Sequence, residues 1–281
     1  MPPHAAMSAS RGRYAQANGL KIYYREYGQG TPLVLLHGSF DCTNDMWAAQ
    51  VSQFSRYVRV IAPDARGHGR TGNPAEKITL SLLADDVMAF CRSLQLDRPI
   101  ICGISMGGRT ALTAAMRYPG AFRAVIAGAA QVHRPFPASM LAQMRSIGIY
   151  GPGQVDPGII ETNDPQRAAQ LRARHCRSPG QWKELLRSLS FVWNENPPPV
   201  DDYRKITVPV LLAVGDRDHI VRVEDIVEAY RALPNAELAV LPGHDHCSFF
   251  CGKENPFNRI TVDFLTRISH ANVKMRTEIY S

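Results

Sequence analysis

Residues Gly103-Ile104-Ser105-Met106-Gly107-Gly108 set a serine among small neighbours. They follow the apolar run Pro99-Ile100-Ile101-Cys102 and precede the helix-like stretch Arg109 to Met116. A strand, a flanked serine and a helix form the sharp turn that lifts a nucleophilic hydroxyl clear of a sheet. Such a turn strains the serine backbone, so residues two before and two or three after it must be small. Gly103, Gly107 and Gly108 meet that demand. The helix start behind the serine offers free N–H groups to developing negative charge. The chemistry read here is covalent attack by Ser105. A glycine-rich turn with a bystander serine gives the same local pattern, so a base, an acid and an oxyanion donor must be found elsewhere in the chain.

The elements that must position such a serine are legible as short apolar runs. Leu20–Tyr27, Leu33–Leu36, Tyr57–Ala62, Ile100–Cys102, Ala124–Ala127, Val210–Val214 and Leu238–Leu241 read as strands, several of them apolar throughout, as in a sheet covered on both faces. Helix-period segments such as Leu80–Leu94 and Val223–Leu233 lie between them. This alternation predicts an α/β fold with a mostly parallel central sheet and helices on both faces. Between Gln131 and Tyr203 no strand signal is found. Helix-like pieces at Ser139–Ile147, Pro165–Arg174 and Gln181–Phe191 are separated by breaks such as Gly151-Pro152-Gly153 and Pro197-Pro198-Pro199. A structureless loop of that length is unusual in a compact domain, so a helical cap over the pocket is expected. Phe136, Met140, Met144, Ile147, Trp182, Phe191 and Trp193 are read either as an apolar underside of this cap or as packing of its helices onto the core. The expected organisation is a flexible leader at 1–18, a core at 19–130 and 204–270, the cap or lid at 131–203, and a tail at 271–281.

Bulk properties narrow the function classes. The 281 residues are 45% hydrophobic and 20% charged, as in ordinary globular protein. No segment approaches the roughly 18 uninterrupted apolar residues of a membrane span. The start, Met1 to Ser10, lacks the apolar core and basic start of a secretory signal, so a cytoplasmic location is expected. The six cysteines are scattered and predict no disulfide framework. Net charge is +7, but no aromatic–basic interleaving accompanies it, so no nucleic-acid partner is expected. Oligomeric state is not readable from the sequence.

Catalytic groups of open α/β sheets gather at the carboxyl ends of the strands. Those ends carry His37-Gly38-Ser39-Phe40, Asp64 to Arg70, Gly215-Asp216-Arg217-Asp218 and Pro242-Gly243-His244-Asp245-His246. With these loops in place, the chain resembles the α/β-hydrolase superfamily from about Tyr23 through Leu265. The resemblance implies Ser105 as nucleophile, Asp218 as acid and His246 as base, in the chain order of that fold. It also implies His37-Gly38-Ser39 as the oxyanion loop, with the backbone N–H groups of Ser39 and Met106 as donors and Phe40 as the alternative to Ser39.

A serine hydroxyl needs an imidazole to accept its proton, and the imidazole needs a carboxylate to hold its tautomer. His244 competes with His246 for the first role, and Asp216 with Asp218 for the second. Asp245 is poorly placed to orient a neighbouring base. After Ala124–Ala127, where some relatives keep their acid, Gly128-Ala129-Ala130-Gln131 holds no carboxylate. His244-x-His246 also offers a metal chelate, but no further ligand follows it, so no metal and no cofactor is expected. His37 and His68 are read as shaping loops, and Met46 and Trp47 as packing. The expected activity is hydrolysis of a carboxylic ester or related small acyl substrate through an acyl-enzyme. The same triad serves carbon–carbon bond hydrolases, lactonases and perhydrolases, and a hydrolase-fold ligand receptor belongs to a different class. Relatives that attack with aspartate, the haloalkane dehalogenases and epoxide hydrolases, are set aside because Ser105 occupies that place.

Overall fold

The computed structural model describes residues 11–42, 46–132, 135–252 and 255–279, with side chains to residue 269. The strands are β1 (Arg13–Ala17), β2 (Leu20–Tyr27), β3 (Pro32–Leu36), β4 (Arg59–Pro63), β5 (Ile100–Ile104), β6 (Ala124–Gly128), β7 (Ile149–Gly151), β8 (Gln154–Val155), β9 (Val210–Gly215) and β10 (Ala236–Leu241). Eight of them form one sheet in the order β1-β2-β4-β3-β5-β6-β9-β10. Only β2 runs against its neighbours; β4, β3, β5, β6, β9 and β10 pair in parallel.

Period-two alternation divides the apolar runs between two layers. Leu33, Leu35, Val60, Ile100 and Cys102 join the layer under helices Ala48–Phe54 and Pro256–Ile279. Val34, Leu36, Ile61, Ile101 and Val125 face the other way, under helices Leu80–Ser93, Met106–Arg117 and Val223–Ala232. Leu33, Val34 and Leu35 are wholly buried, each such side chain contributing about 1.5–3 kcal/mol of burial. The expected α/β hydrolase architecture, with helices on both faces of a mostly parallel sheet, is the observed one.

The termini of the core differ from the sequence reading. Arg13–Ala17, placed there in a leader, is strand β1, in antiparallel register with β2 from Arg13↔Tyr24 to Ala17↔Leu20. Asn18 (φ 48°) and Gly19 (φ 71°) make the turn, an Asn-Gly pair suited to a tight hairpin. Residues 1–10 lie outside the described residues. At the other end, helix Pro256–Ile279 runs through the boundary drawn at residue 270.

Between β6 and β9 lie helices Ala138–Ser146, Gly158–Asn163, Pro165–Arg174 and Gln181–Trp193. Asp164 caps the third, accepting from Arg167 N at 2.9 Å with Pro165 in the first turn. Two features here escaped the sequence reading. One is the helix Gly158–Asn163; the other is the hairpin of β7 and β8, turned at Gly151-Pro152-Gly153 with Gly153 at φ 75°. Strands of three and two residues are too short to leave an alternating pattern. The segment buries Met144, Ile149, Ile160, Leu171, Trp182, Leu185 and Leu189 against Leu80, Leu83 and Met106 of the core.

Candidate active site

β3 pairs with β4 on one side and β5 on the other, so the crevice at its carboxyl end is where the chain changes direction across the sheet. Leu36 at the end of β3 stands in register with Gly103 of β5. This pairing sets the loop 37–41 beside the turn that carries Ser105.

Ser105 has φ 54° and ψ −118°, a strained conformation for a residue with a side chain, immediately before helix Met106–Arg117. The turn is held by Ser105 N donating to Gly128 O at 2.8 Å. Its glycines are required by space. A Cβ on Gly107 would collide with the Leu36 carbonyl, one on Gly103 with the Gly107 backbone, and one on Gly108 would lie 2.9 Å from Ala130 Cβ.

His246 Nε2 lies 3.1 Å from Ser105 Oγ, and His246 Nδ1 lies 2.8 Å from Asp218 Oδ2. The Asp218 carboxylate is completely buried. Its other oxygen accepts the backbone N–H groups of Ile220 and Val221, both at 2.8 Å. Those bonds fix the carboxylate plane, so Oδ2 is aimed at the imidazole. The rivals turn elsewhere. His244 Nδ1 meets Ser248 Oγ at 3.3 Å, Asp216 Oδ1 accepts Gly243 N at 2.6 Å, and Asp245 Oδ1 accepts the N–H groups of Cys247 and Ser248. The two rings of His244-x-His246 thus face different partners and do not converge on a common point.

Ser39 and Met106 both line the cavity in front of Ser105. Met106 opens its helix, so its N–H is a first-turn donor without an intrahelical acceptor. The loop before it is pinned by buried histidines. Ala65 N donates to His37 Nε2 at 2.9 Å, so His37 Nδ1 carries the proton and donates to Gly38 O at 2.8 Å. His68 Nε2 lies 2.9 Å from Ser39 O and its Nδ1 lies 2.8 Å from Arg66 O. Burial pushes both imidazoles down to about 4. His37, which accepts Ala65 N through one nitrogen, is neutral near pH 7, whereas His68 faces a carbonyl oxygen with each nitrogen, an arrangement that favours a second proton. His175, from the inserted segment, stacks edge-on against His68 and accepts Gly69 N through Nδ1 at 3.0 Å.

The cavity holds about 230 Å³. Of the side chains read as underside or packing of the insert, Phe136, Met140, Met144, Ile147 and Trp193 line the cavity. Trp182 instead packs in the apolar cluster behind, and Phe191 stacks under Lys77. Met46, read as packing, lines the cavity too, and its sulfur accepts Gly38 N at 3.2 Å. Trp47 is wholly buried. Sequence reasoning missed Trp193 as a donor to Ser39 and missed Arg109 on the cavity wall. Arg109 was open to discovery, because it stands four residues after Ser105 and so on the same side of the helix.

The sheet order and the strained serine turn define the class of protein. A sequence profile of the alpha/beta hydrolase family matches residues 33–257, and the chain belongs to that family. It is 26% identical over 244 residues to the 2-(acetamidomethylene)succinate hydrolase of Mesorhizobium japonicum, covering 81% of this chain and 85% of that one. It is 28% identical over 219 residues to the 3-oxoadipate enol-lactonase 2 of Acinetobacter baylyi, covering 74% and 80%. In fold it is similar to the enol-lactonase from Burkholderia xenovorans LB400, with TM-score 0.71 and 23% identity over 90% of this chain and 100% of that one.

Proposed function

We propose that this hydrolase cleaves a carboxylic ester or related acyl compound through an acyl-enzyme, with Ser105 as nucleophile, His246 as general base and Asp218 as the acid that orients it. The observation that carries this reading is the continuous pair of hydrogen bonds from Ser105 Oγ through His246 to Asp218.

In the first half, Ser105 Oγ attacks the carbonyl carbon while His246 Nε2 takes its proton. The carbonyl electron pair moves onto oxygen, facing the N–H groups of Ser39 and Met106. Asp218 holds the Nδ1–H tautomer and stabilises the imidazolium without itself becoming protonated. The tetrahedral adduct then collapses, and the leaving alkoxide takes the proton from His246 Nε2. In the second half, water attacks the acyl carbon and gives its proton to His246. Collapse expels Ser105, which recovers that proton, and the acid product leaves.

A cyclic ester is the same bond closed into a ring, and the likeness to a 3-oxoadipate enol-lactonase favours lactones among the substrates to be tried. The segment 131–203 acts as the lid that shapes the acyl pocket. Among the described residues no helix is long and apolar enough to cross a membrane. A cytoplasmic setting, where buried Cys91 and Cys102 remain thiols, completes this reading. Intact mass after incubation with a fluorophosphonate is the test. One adduct on the wild type, absent from Ser105→Ala, is expected. A wild type that stays unlabelled and turns over no ester would leave a ligand receptor as the better reading.

A further inference from the structure

Among the described residues two arginines are buried, Arg66 and Arg109, each 4% exposed. Arg66 is fully compensated: its guanidinium grips the Asp86 carboxylate through Nε at 2.8 Å and a terminal nitrogen at 2.7 Å. Arg109 has no such partner. Its guanidinium donates to two carbonyls, Val192 O at 3.2 Å and Glu195 O at 3.4 Å, and lies over the Phe136 ring at 5.6 Å. The Glu195 carboxylate accepts Leu80 N at 2.7 Å and acts on Arg109 only through space, without a direct ion pair. Burial lowers the Arg109 pKa to about 10, still charged at neutral pH, and the nearby Glu195 charge offsets part of that cost.

That wall belongs to the cavity containing Ser105. A second guanidinium, Arg167, lines the same cavity over the Phe40 ring at 5.0 Å and makes no ion pair among the described residues. Among the described residues, the one carboxylate on the lining, Asp41, lies 3.8 Å from Arg174. Two guanidinium groups on one cavity lining, neither in a direct ion pair among the described residues, suit an anionic ligand better than a neutral one. A guanidinium offers five N–H donors, and Arg109 uses two of them on the carbonyls.

Resting on the serine-hydrolase reading, we propose that Arg109, assisted by Arg167, recognises a carboxylate on the substrate, so that the natural acyl compound is an anion such as the half-ester or lactone of a dicarboxylic acid. Arg109 lies in the first turn of the helix that follows Ser105, and both line one cavity, so a single small substrate can meet the two together.

The test reads binding rather than turnover, so it stands apart from the identity of the nucleophile. In a Ser105→Ala background, calorimetric titrations compare the monomethyl esters of succinate, glutarate and adipate with their neutral dimethyl esters. At least one anion is expected to bind about tenfold or more tightly than its dimethyl counterpart, as a charge-assisted pair should. Adding Arg109→Gln should remove that preference, weakening the anion about tenfold more than the dimethyl ester, whereas Arg109→Lys, which keeps the charge, should retain part of it. If Arg109 serves only to fasten Val192 and Glu195, Arg109→Gln will weaken anion and neutral ester in equal proportion. That result, equal affinities in the parent protein, or no measurable binding of any anion would overturn the proposal. Fluorophosphonate labelling of the otherwise native protein separately reports on Ser105.

Discussion

Trp193 Nε1 donates to Ser39 Oγ across 3.1 Å, joining the last residue of helix Gln181–Trp193 to the loop that faces the nucleophile. The indole also packs on Phe40, with ring centroids 5.2 Å apart. The preceding residue, Val192, accepts Arg109 from the helix behind Ser105. One end of this inserted helix therefore touches both sides of the proposed oxyanion hole. Trp193→Phe keeps most of the ring and removes the N–H, so kcat should fall about three- to tenfold at nearly constant KM, with a loss of about 1 kcal/mol in stability. Steady-state kinetics on p-nitrophenyl acetate would decide this. An unchanged kcat would mean that the Ser39 loop keeps its position without the insert.

The positive φ of Ser105 separates two variants that both lack the nucleophile. Ser105→Ala keeps a Cβ in a conformation that disfavours one, while Ser105→Gly removes the conflict. Both should lose turnover by a factor on the order of 10³ or more. The glycine variant should melt a few degrees higher than the alanine variant, reflecting strain on the order of 1 kcal/mol. Differential scanning calorimetry of the pair is the check, and equal melting temperatures would show that the turn stores no strain.

The two aspartates after β9 should behave very differently. Asp218→Asn leaves the shape but offers the imidazole an amide, and kcat should fall by about 10⁴. Asp216 accepts Gly243 N and lies 3.8 Å from the exposed Arg217, away from His246, so Asp216→Asn should change kcat by less than about tenfold. Comparable losses in both would point to a shared structural role for the loop instead of orientation of His246 by one carboxylate.

Acid should weaken the fold before the carboxylates titrate. Burial pushes the His37 imidazole down to about 4 against an ordinary 6.5, because it penalises the charged ring. The unfolded chain therefore binds this proton first as pH falls. Its contribution is complete above about pH 6.5 and is lost as pH drops toward 4, on the order of 3 kcal/mol. The urea midpoint should already decline between pH 6.5 and 5, where ordinary carboxylates remain mostly ionised. A midpoint flat across that interval would contradict the burial of the His37 ring in the neutral state.

Most of the sheet was legible because strands covered on both faces are apolar at nearly every position. Leu33–Leu36 and Ile100–Cys102 are examples, while the Gly103–Gly108 spacing carried the turn between sheet and helix. β1 was hidden because Arg13-Tyr14-Ala15-Gln16-Ala17 is half polar and buries only Ala15 and Ala17. The Asn18-Gly19 pair was the available signal for that hairpin. Choosing between Asp216 and Asp218, or His244 and His246, required the resemblance to a family, since each pair offers the same chemistry two residues apart. In the structure His246 and Asp218 meet, while the other two face loop atoms. Bonds such as Trp193 to Ser39 join residues 154 positions apart, and no local pattern encodes them.

The inserted segment is not attached evenly. Gln181 Nε2 donates to Gly67 O at 2.8 Å, Ser188 Oγ to Glu76 O at 3.0 Å, and Ile78 N to Ser188 O at 3.3 Å. Helix Ala138–Ser146, which lines the cavity through Met140, Gln143 and Met144, buries only Met144. Raising the first helix exposes one buried side chain, whereas raising the last would strip hydrogen bonds from the core loop and from Ser39 together. Attachment of the insert is thus concentrated at its final helix, and the 138–146 end is the less firmly stitched of the two.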